Sequence, residues 1–227
     1  MRERKATFNI RVLAAPQPPP PPPPPFVGTT VTIRVGEGLA FKLRAVPLAD
    51  GCESATVDWG DGSAVETFFE KIADAVHEYP APGEYRIRIS DDVRYIAIGS
   101  STADSDYNLV YAPMVRKIVS NGQYLTQVAA YSYRNCHNLE TADFSESNLH
   151  TLPAGCFMDC RSLTGELYFP KVDNVVGSSI SMPFANCSRL TAIHFADLYK
   201  SKITAGNAYR TNSTLGTGVP DICRFDL

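Results

Sequence analysis

The chain has 227 residues, 44% of them hydrophobic, and a formal net charge of −3 at pH 7. This length and composition suit one large packed domain or two small ones. The slight acidic excess, with no basic face in the sequence, argues against a general nucleic-acid-binding protein. No apolar run reaches the roughly 18 residues that a membrane-spanning helix needs, so we expect no membrane span.

The N-terminal segment, residues 1–27, begins with a strand pattern. Residues 7–13 alternate polar and apolar side chains, with Phe8, Ile10 and Val12 on one face, which predicts a β-strand. The charged residues before it lack the apolar region of a signal peptide. A lone strand cannot pair with itself. We therefore expect it to return to its own domain, to dock on another protein, or to build a homo-oligomer.

Eight consecutive prolines, residues 18–25, follow the predicted strand. Because proline has no backbone donor and a nearly fixed φ angle, such a tract forms a polyproline II rod, here about 25 Å long at about 3.1 Å per residue. We interpret it as a stiff spacer that holds the rest of the chain away from its anchor. The alternative is a ligand for an SH3-like or WW-like groove, but the tract has no flanking basic consensus.

The next region, residues 28–99, is typical of short strands separated by turns rich in glycine and proline. Alternating or apolar runs predict strands at residues 29–35, 39–45, 56–59, 85–89 and 95–98. Short strands at this spacing indicate a β-sandwich. We expect the last run to serve both as the final sandwich strand and as the first strand of the region that follows.

A glycine-rich turn follows the single tryptophan of the chain, Trp59, in this region. We expect Trp59 to fill the core and the turn glycines to adopt positive φ angles. His77 is predicted to hydrogen-bond to the Asp-Gly turn rather than to act in catalysis. Asp58 and Asp61 offer too few converging oxygens for calcium, which takes about six to eight ligands. We therefore predict no metal site here.

Two motifs occur in a fixed order across residues 28–99. The first is Val57-Asp58-Trp59-Gly60-Asp61-Gly62-Ser63, and the second is His77-Glu-Tyr79 followed by Pro82-Gly83-Glu-Tyr85-Arg-Ile87. Together they resemble the polycystic-kidney-disease (PKD) type of immunoglobulin-like domain, whose hallmark is a Trp-Gly-Asp-Gly turn and a His-x-Tyr…Pro-Gly-x-Tyr-x-Val strand pair. The resemblance implies an immunoglobulin-like β-sandwich.

A repeat occupies the rest of the chain, residues 100–227. Three copies of an aromatic-x-Asn/Asp-Cys-x-x-Leu motif place Cys136, Cys160 and Cys187 about 25 residues apart. Such a period is the signature of a solenoid, in which each unit buries its apolar side by stacking on the next. We expect the cysteines to form a column of reduced, buried thiols, with disulfide pairing as the alternative. Their spacing does not match that of a zinc site.

Each repeat also carries a short predicted strand, and these strands start at Ile118, Ala142, Leu167 and Ile193. Alternation places the first and third residues of each strand inward and the middle residue outward. Side by side, the strands present their middle residues as one column: Val119, Asp143, Tyr168 and His194. We take this column as the candidate ligand-binding face, since tyrosine and histidine can stack on, and hydrogen-bond to, a protein or a sugar.

The fullest copy of the repeat is Phe157-Met-Asp-Cys160-Arg-Ser-Leu163, followed by Leu167-Tyr-Phe169-Pro170. This unit resembles the BspA-type leucine-rich repeat of bacterial surface proteins. The spacing drifts from a regular array, and residues 198–221 carry no copy, although residues 222–225 are typical of a terminal strand. The resemblance implies a surface that binds host proteins or other cells, not an enzyme.

The chain carries no recognised catalytic, phosphate-binding or dinucleotide-binding motif, so we predict no enzyme activity and no cofactor. The main hypothesis is a mainly β protein, with an immunoglobulin-like β-sandwich followed by a short BspA-like leucine-rich-repeat solenoid. As the two resemblances imply, it would bind a protein or glycan partner on a bacterial cell surface. One alternative is a bacteriophage virion protein that docks through its N-terminal strand, because such a protein needs no secretion signal. An accessory carbohydrate-binding module is a second alternative, which rests on family analogy.

Overall fold

The structure is a computed structural model, and it describes residues 25–38, 40–44, 46–72, 74–175 and 183–195. The strands predicted at residues 7–13 and 222–225 lie outside these described residues. The described chain is mainly β, as the sequence predicts. Two short helical turns, Tyr107–Tyr111 and Ala112–Met114, interrupt the strands. None of the described helices is long and apolar enough to cross a membrane.

The N-terminal part contains antiparallel strands. They are β1 (Gly28–Val35), β2 (Ala40–Lys42), β3 (Val46–Pro47), β4 (Ser54–Asp58), β5 (Glu66–Phe69), β6 (Lys71–Ile72), β7 (Val76–Glu78) and β8 (Gly83–Ser90). β8 lies between β1 and β4, and β4 pairs with β5. β2 pairs with β7, and β3 with β6. The apolar side chains of these sheets share one buried core, because β1, β4 and β8 direct alternate residues inward.

Short strands of the repeats follow. They are β9 (Val115–Ser120), β10 (Thr141–Asp143), β11 (Thr151–Leu152), β12 (Gly165–Phe169), β13 (Asn174–Val175) and β14 (Leu190–Phe195). β9 and β10 pair in parallel with Ala142 beside Ile118, and β12 and β14 pair in parallel with Leu167 beside Ile193. Both pairs therefore have the register that the repeat alignment predicts. β11 and β13 form a further parallel pair.

Backbone hydrogen bonds also link β9 to β10, and β10 to β12. The Glu140 amide donates to the Arg116 carbonyl at 2.8 Å, and the Thr164 amide donates to the Glu140 carbonyl at 3.1 Å. The three residues precede or begin the strands of successive repeats. The repeats that contain β9, β10 and β12 are thus bonded in series at equivalent points, which keeps these strands aligned.

The repeated motif forms the same tight turn three times. Asn135, Asp159 and Asn186 have φ angles of 62°, 63° and 63°. Among non-glycine residues, asparagine and aspartate adopt this left-handed conformation most readily. This backbone requirement explains why the motif carries Asn or Asp at that position.

The cysteine after each of these turns is a free, buried thiol. The Cys160 thiol donates to the Tyr133 carbonyl at 3.2 Å, and the Cys187 thiol donates to the Phe157 carbonyl at 3.0 Å. These two thiols therefore bond to the preceding repeat. The predicted column of reduced, buried cysteines is confirmed.

Two columns of aromatic rings fill the core of the repeats. In one, successive ring centroids are 5.0 and 5.3 Å apart, and its members are Tyr133, Phe157 and Phe184. In the other, the separations are 5.6 and 6.0 Å, and its members are Phe144, Phe169 and Phe195. Phe157 also lies 5.7 Å from Phe144, centroid to centroid, so it links the two columns.

Strand β1 joins the N-terminal part to the repeats. It pairs with β8 on one side and with β9 on the other, antiparallel to both. Among the described residues, the largest sheet consequently has the order β10-β9-β1-β8-β4-β5. The buried side chains of both parts belong to one continuous core. The domain limits 1–27, 28–99 and 100–227 stay predictions. The large sheet contains strands from both sides of the predicted boundary between residues 99 and 100.

Residues 95–98 do not form the predicted strand. The segment is buried at Ile96 and Ile98, but its backbone hydrogen bonds go to two different segments of the chain. The Arg44 amide donates to the Ala97 carbonyl at 3.1 Å, whereas the Ile98 amide donates to the Ser132 carbonyl at 2.8 Å. Because no single neighbour runs alongside it, no ladder forms, and the prediction of a strand shared by both regions is wrong.

The Trp-Gly-Asp-Gly turn holds His77 as predicted. The Nε2 atom of His77 lies 2.8 Å from the Oδ2 atom of Asp61, and its ring stacks on Trp59 with centroids 4.9 Å apart. Trp59 is fully buried. Gly60 and Gly62 have φ angles of 80° and 86°, and a side chain at Gly60 would collide with neighbouring backbone. The predictions for Trp59, His77 and the two glycines are confirmed.

Asp61 is expected to make stability depend on pH in acid. Burial alone raises the pKa of this carboxyl, but hydrogen bonds from the Ser63 side chain, from His77 and from the Ser63 amide outweigh burial and lower the pKa from 3.8 to about 2. A carboxyl with a lowered folded pKa stabilises the fold fully above its unfolded pKa. That contribution is lost as the pH falls from 3.8 toward 2.

Asp61→Asn should lower the free energy of unfolding at neutral pH by about 1 to 3 kcal/mol, since it weakens a charged, buried hydrogen-bond partner. It should also remove this part of the acid dependence. Urea unfolding followed by Trp59 fluorescence across the acid range measures both effects. Asp104→Asn, at an exposed carboxyl, should keep the wild-type profile. Equal acid sensitivity in wild type and Asp61→Asn would contradict the prediction.

Candidate functional site

The outer face of the parallel strands carries the residues predicted to bind a ligand. Val119 in β9 lies beside Asp143 in β10, and Tyr168 in β12 lies beside His194 in β14. Val119 is half-buried, Asp143 and Tyr168 are exposed, and His194 is partly exposed. The structure therefore places the four residues as two adjacent pairs, and β10 and β12 are neighbours between those pairs.

The rings of Tyr168 and His194 stack on each other. Their centroids are 4.4 Å apart and their planes differ by 9°. Paired strands lie about 4.8 Å apart, so rings at directly paired positions meet at stacking distance without distorting the backbone. Tyr168 nevertheless stays 48% exposed. The stack is an ordered aromatic surface that a partner can reach.

Glu166 connects the two rings. Its Oε2 atom accepts a hydrogen bond from the Tyr168 hydroxyl at 2.6 Å and lies 3.0 Å from Nε2 of His194. The bond from Tyr168, followed by that from His194, lowers the pKa of Glu166. The bond to Glu166 raises the pKa of Tyr168. We name Glu166, Tyr168 and His194 the Tyr-His-Glu cluster.

Glu166 is a residue of this cluster that the sequence patterns did not single out. The predicted strand begins at Leu167, whereas β12 begins at Gly165. Residues two positions apart in a strand share a face. A predicted strand that began at Gly165 would have assigned Glu166 and Tyr168 to the same face. The Glu-x-Tyr spacing is therefore the sequence signal that could have identified Glu166.

Asp143 and Val119 make their contacts within the protein, outside the Tyr-His-Glu cluster. The Oδ1 atom of Asp143 accepts hydrogen bonds from the Ser145 amide at 3.0 Å and from the Ser145 hydroxyl at 2.7 Å, which closes the turn after β10. Val119 lies between Asp143 and Thr30 of β1 in the large sheet. These two residues continue the face, but its exposed aromatic surface is at the Tyr-His-Glu cluster.

The cluster combines a phenol, an imidazole and a carboxylate on a flat strand surface. Such groups can hydrogen-bond to polar atoms of a partner, while the rings contact its apolar atoms. Within the described ranges, no group of three or more His, Cys, Asp or Glu side chains is arranged to hold a metal ion. No family model, curated protein or solved structure matches the chain.

Proposed function

We propose that the protein is a non-catalytic binding protein that presents the Tyr-His-Glu cluster to a protein or glycan partner. The observation that carries this proposal is the exposed stack of Tyr168 on His194, held by Glu166. Rings that are already ordered lose little conformational entropy when a partner binds. Tyrosine is also enriched where protein interfaces concentrate their binding energy.

The proposal includes the finer fold class, an immunoglobulin-like β-sandwich followed by a short BspA-like leucine-rich-repeat solenoid. The parallel pairing of β9 with β10 and of β12 with β14 supports the solenoid, as does the left-handed turn repeated at Asn135, Asp159 and Asn186. The buried Trp59 stacked on His77 supports a PKD-like sandwich. A place on a bacterial cell surface, which the resemblances imply, is part of the same proposal.

Tyr168→Ala is expected to weaken binding of the partner by roughly tenfold or more, since it removes half of the aromatic stack from the centre of the contact. His194→Ala should have a similar effect. The measurement starts with the labelled full chain on a glycan array and on fixed bacterial cells. A retained glycan or purified surface protein is then titrated calorimetrically with each variant.

The matched control is Tyr124→Ala. Tyr124 is 43% exposed, close to the 48% of Tyr168, and lies outside the cluster. We expect Tyr124→Ala to bind like the wild type. The proposal is wrong if the two tyrosine variants lose affinity equally, or if the wild type is retained by none of the glycans and cells.

A further inference from the structure

The edge of the large sheet opposite the repeats is open. β5 is its last strand, and within the part of the chain that the structure describes it pairs with β4 alone. Thr56 of β4, which lies opposite Thr67 of β5, directs its amide the other way, to Oγ of Ser90 at 3.0 Å. Backbone groups alternate along an antiparallel pair. Thr67 and Phe69 therefore point their N–H and C=O groups toward the open edge.

One face of this edge is apolar. Val65 and Phe69 are 56% and 70% exposed, and they lie on the same side of the chain as Thr67 because alternate residues share a face. β5 contains neither a proline nor a lysine, the residues that commonly prevent strand addition. An open edge with large exposed apolar side chains is a template for another strand.

The predicted N-terminal strand, residues 7–13, matches this edge in one antiparallel register. That register places these residues opposite each other: Phe8 and Phe69, Ile10 and Thr67, and Val12 and Val65 on one face, with Arg11 and Glu66 on the other. Apolar and oppositely charged cross-strand pairs both stabilise a sheet. In the parallel register with Ile10 opposite Thr67, Arg11 would instead face Phe68, so charge favours the antiparallel arrangement.

The residues that follow the proline tract are held against the large sheet. The Asn121 side chain donates to the Phe26 carbonyl at 2.9 Å and accepts from the Gly28 amide at 2.9 Å. The Phe26 ring lies 5.9 Å from the guanidinium of Arg88, centroid to carbon. These contacts hold the residues between the tract and β1.

The length of the tract makes a second copy the better acceptor. From the start of β1 to β5 the sheet spans three strand spacings, about 14 Å. The polyproline rod of about 25 Å that the sequence predicts would carry residues 7–13 beyond that distance. A return to its own β5 would require the chain to reverse within the few residues between strand and tract, whereas a neighbouring copy needs no reversal.

We propose that residues 7–13 of one chain add as an antiparallel strand to β5 of a second copy, and that reciprocal donation makes a two-fold dimer. Each copy then covers the open edge of the other, and the closed symmetry ends the assembly at two chains. The contact uses the sheet edge farthest from the Tyr-His-Glu cluster in strand order. It is independent of the binding function proposed above.

Light scattering of the full chain tests the proposal. The wild type is expected at twice the 24.8 kDa mass of one chain. Ile10→Pro removes an amide from the donor strand, and Thr67→Pro removes an edge amide that does not bond to β4, a position where proline is tolerated. Both variants should be monomers. Mixed in equal amounts they should form a heterodimer, because one retains the donor strand and the other retains the acceptor edge.

A charge exchange checks the register. Arg11→Glu and Glu66→Arg should each weaken the dimer severalfold, and the double variant should restore it. Circular dichroism and Trp59 fluorescence verify that each variant is folded. A monomeric wild type overturns the proposal, since the strand then pairs within its own chain or not at all. A wild-type dimer that persists in both proline variants also overturns it, because another surface then forms the contact.

Discussion

Phe157→Ala is expected to lower the free energy of unfolding by about 3 to 5 kcal/mol, the range for deleting a buried aromatic side chain. The Phe157 ring is fully buried and stacks between Tyr133 and Phe184, at centroid distances of 5.0 and 5.3 Å. It also contacts Phe144 of the second column. The cavity would open where the two columns meet, and rigid neighbours on several sides could not close it.

Urea unfolding measures this loss for Phe157→Ala. Tyr168→Ala is the control, because its ring is on the surface and 48% exposed. Its unfolding free energy should stay within about 1 kcal/mol of the wild type, the upper range for one exposed cross-strand pair. This control also shows whether the binding variant is folded. A loss below about 1 kcal/mol for Phe157→Ala would mean that the aromatic columns do not form the packed core of the repeats.

Val31→Pro is expected to destabilise the N-terminal part and the repeats together, by about 3 kcal/mol or more. Val31 is fully buried in β1 and pairs with Ile87 of β8 on one side and Ile118 of β9 on the other. Proline removes a ladder hydrogen bond and does not fit the middle of a sheet. Because β1 pairs with a strand of each part, we expect both parts to lose stability.

Two probes can follow the two parts separately in this experiment. Trp59 fluorescence reports the N-terminal part, and the reactivity of the buried cysteines reports the repeats. Burial raises the pKa of Cys156, Cys160 and Cys187, so these thiols should react only after unfolding exposes them. Replacing Cys52 and Cys223 by serine leaves only cysteines of the repeats to react.

With Val31→Pro, both probes should show one coincident transition at lower urea concentration than in the wild type. Val27→Pro is the matched control, since Val27 precedes β1 and is 54% exposed. It should leave both transitions unchanged. If Val31→Pro shifts the fluorescence transition but not the thiol transition, the two parts fold independently and β1 does not couple them.

Several features of the fold follow from local patterns in the sequence. The alternation in residues 29–35 predicts β1, because a strand with one buried face needs an apolar residue at every second position. The repeat period predicts which residues of β9 and β10, and of β12 and β14, lie side by side. Stacked units of similar length bring equivalent positions together, so the register is a property of the period itself.

The candidate site is predicted in part for the same reason. The repeat alignment places Tyr168 beside His194, and the structure stacks their rings. Glu166 is missed because strand limits are poorly defined by a short apolar run. Whether this face binds a ligand stays a prediction.

Patterns in the sequence are sufficient to predict the strands with a clear alternation and the inward column of cysteines. Each of these depends on residues near one another in the chain or on one fixed period. Three features emerge only in the packed fold: β1 pairs with β9, residues 95–98 form no ladder, and β5 is the last strand of the large sheet among the described residues. These outcomes depend on which strand edges stay free after all other strands have packed. No local pattern encodes that competition between distant segments.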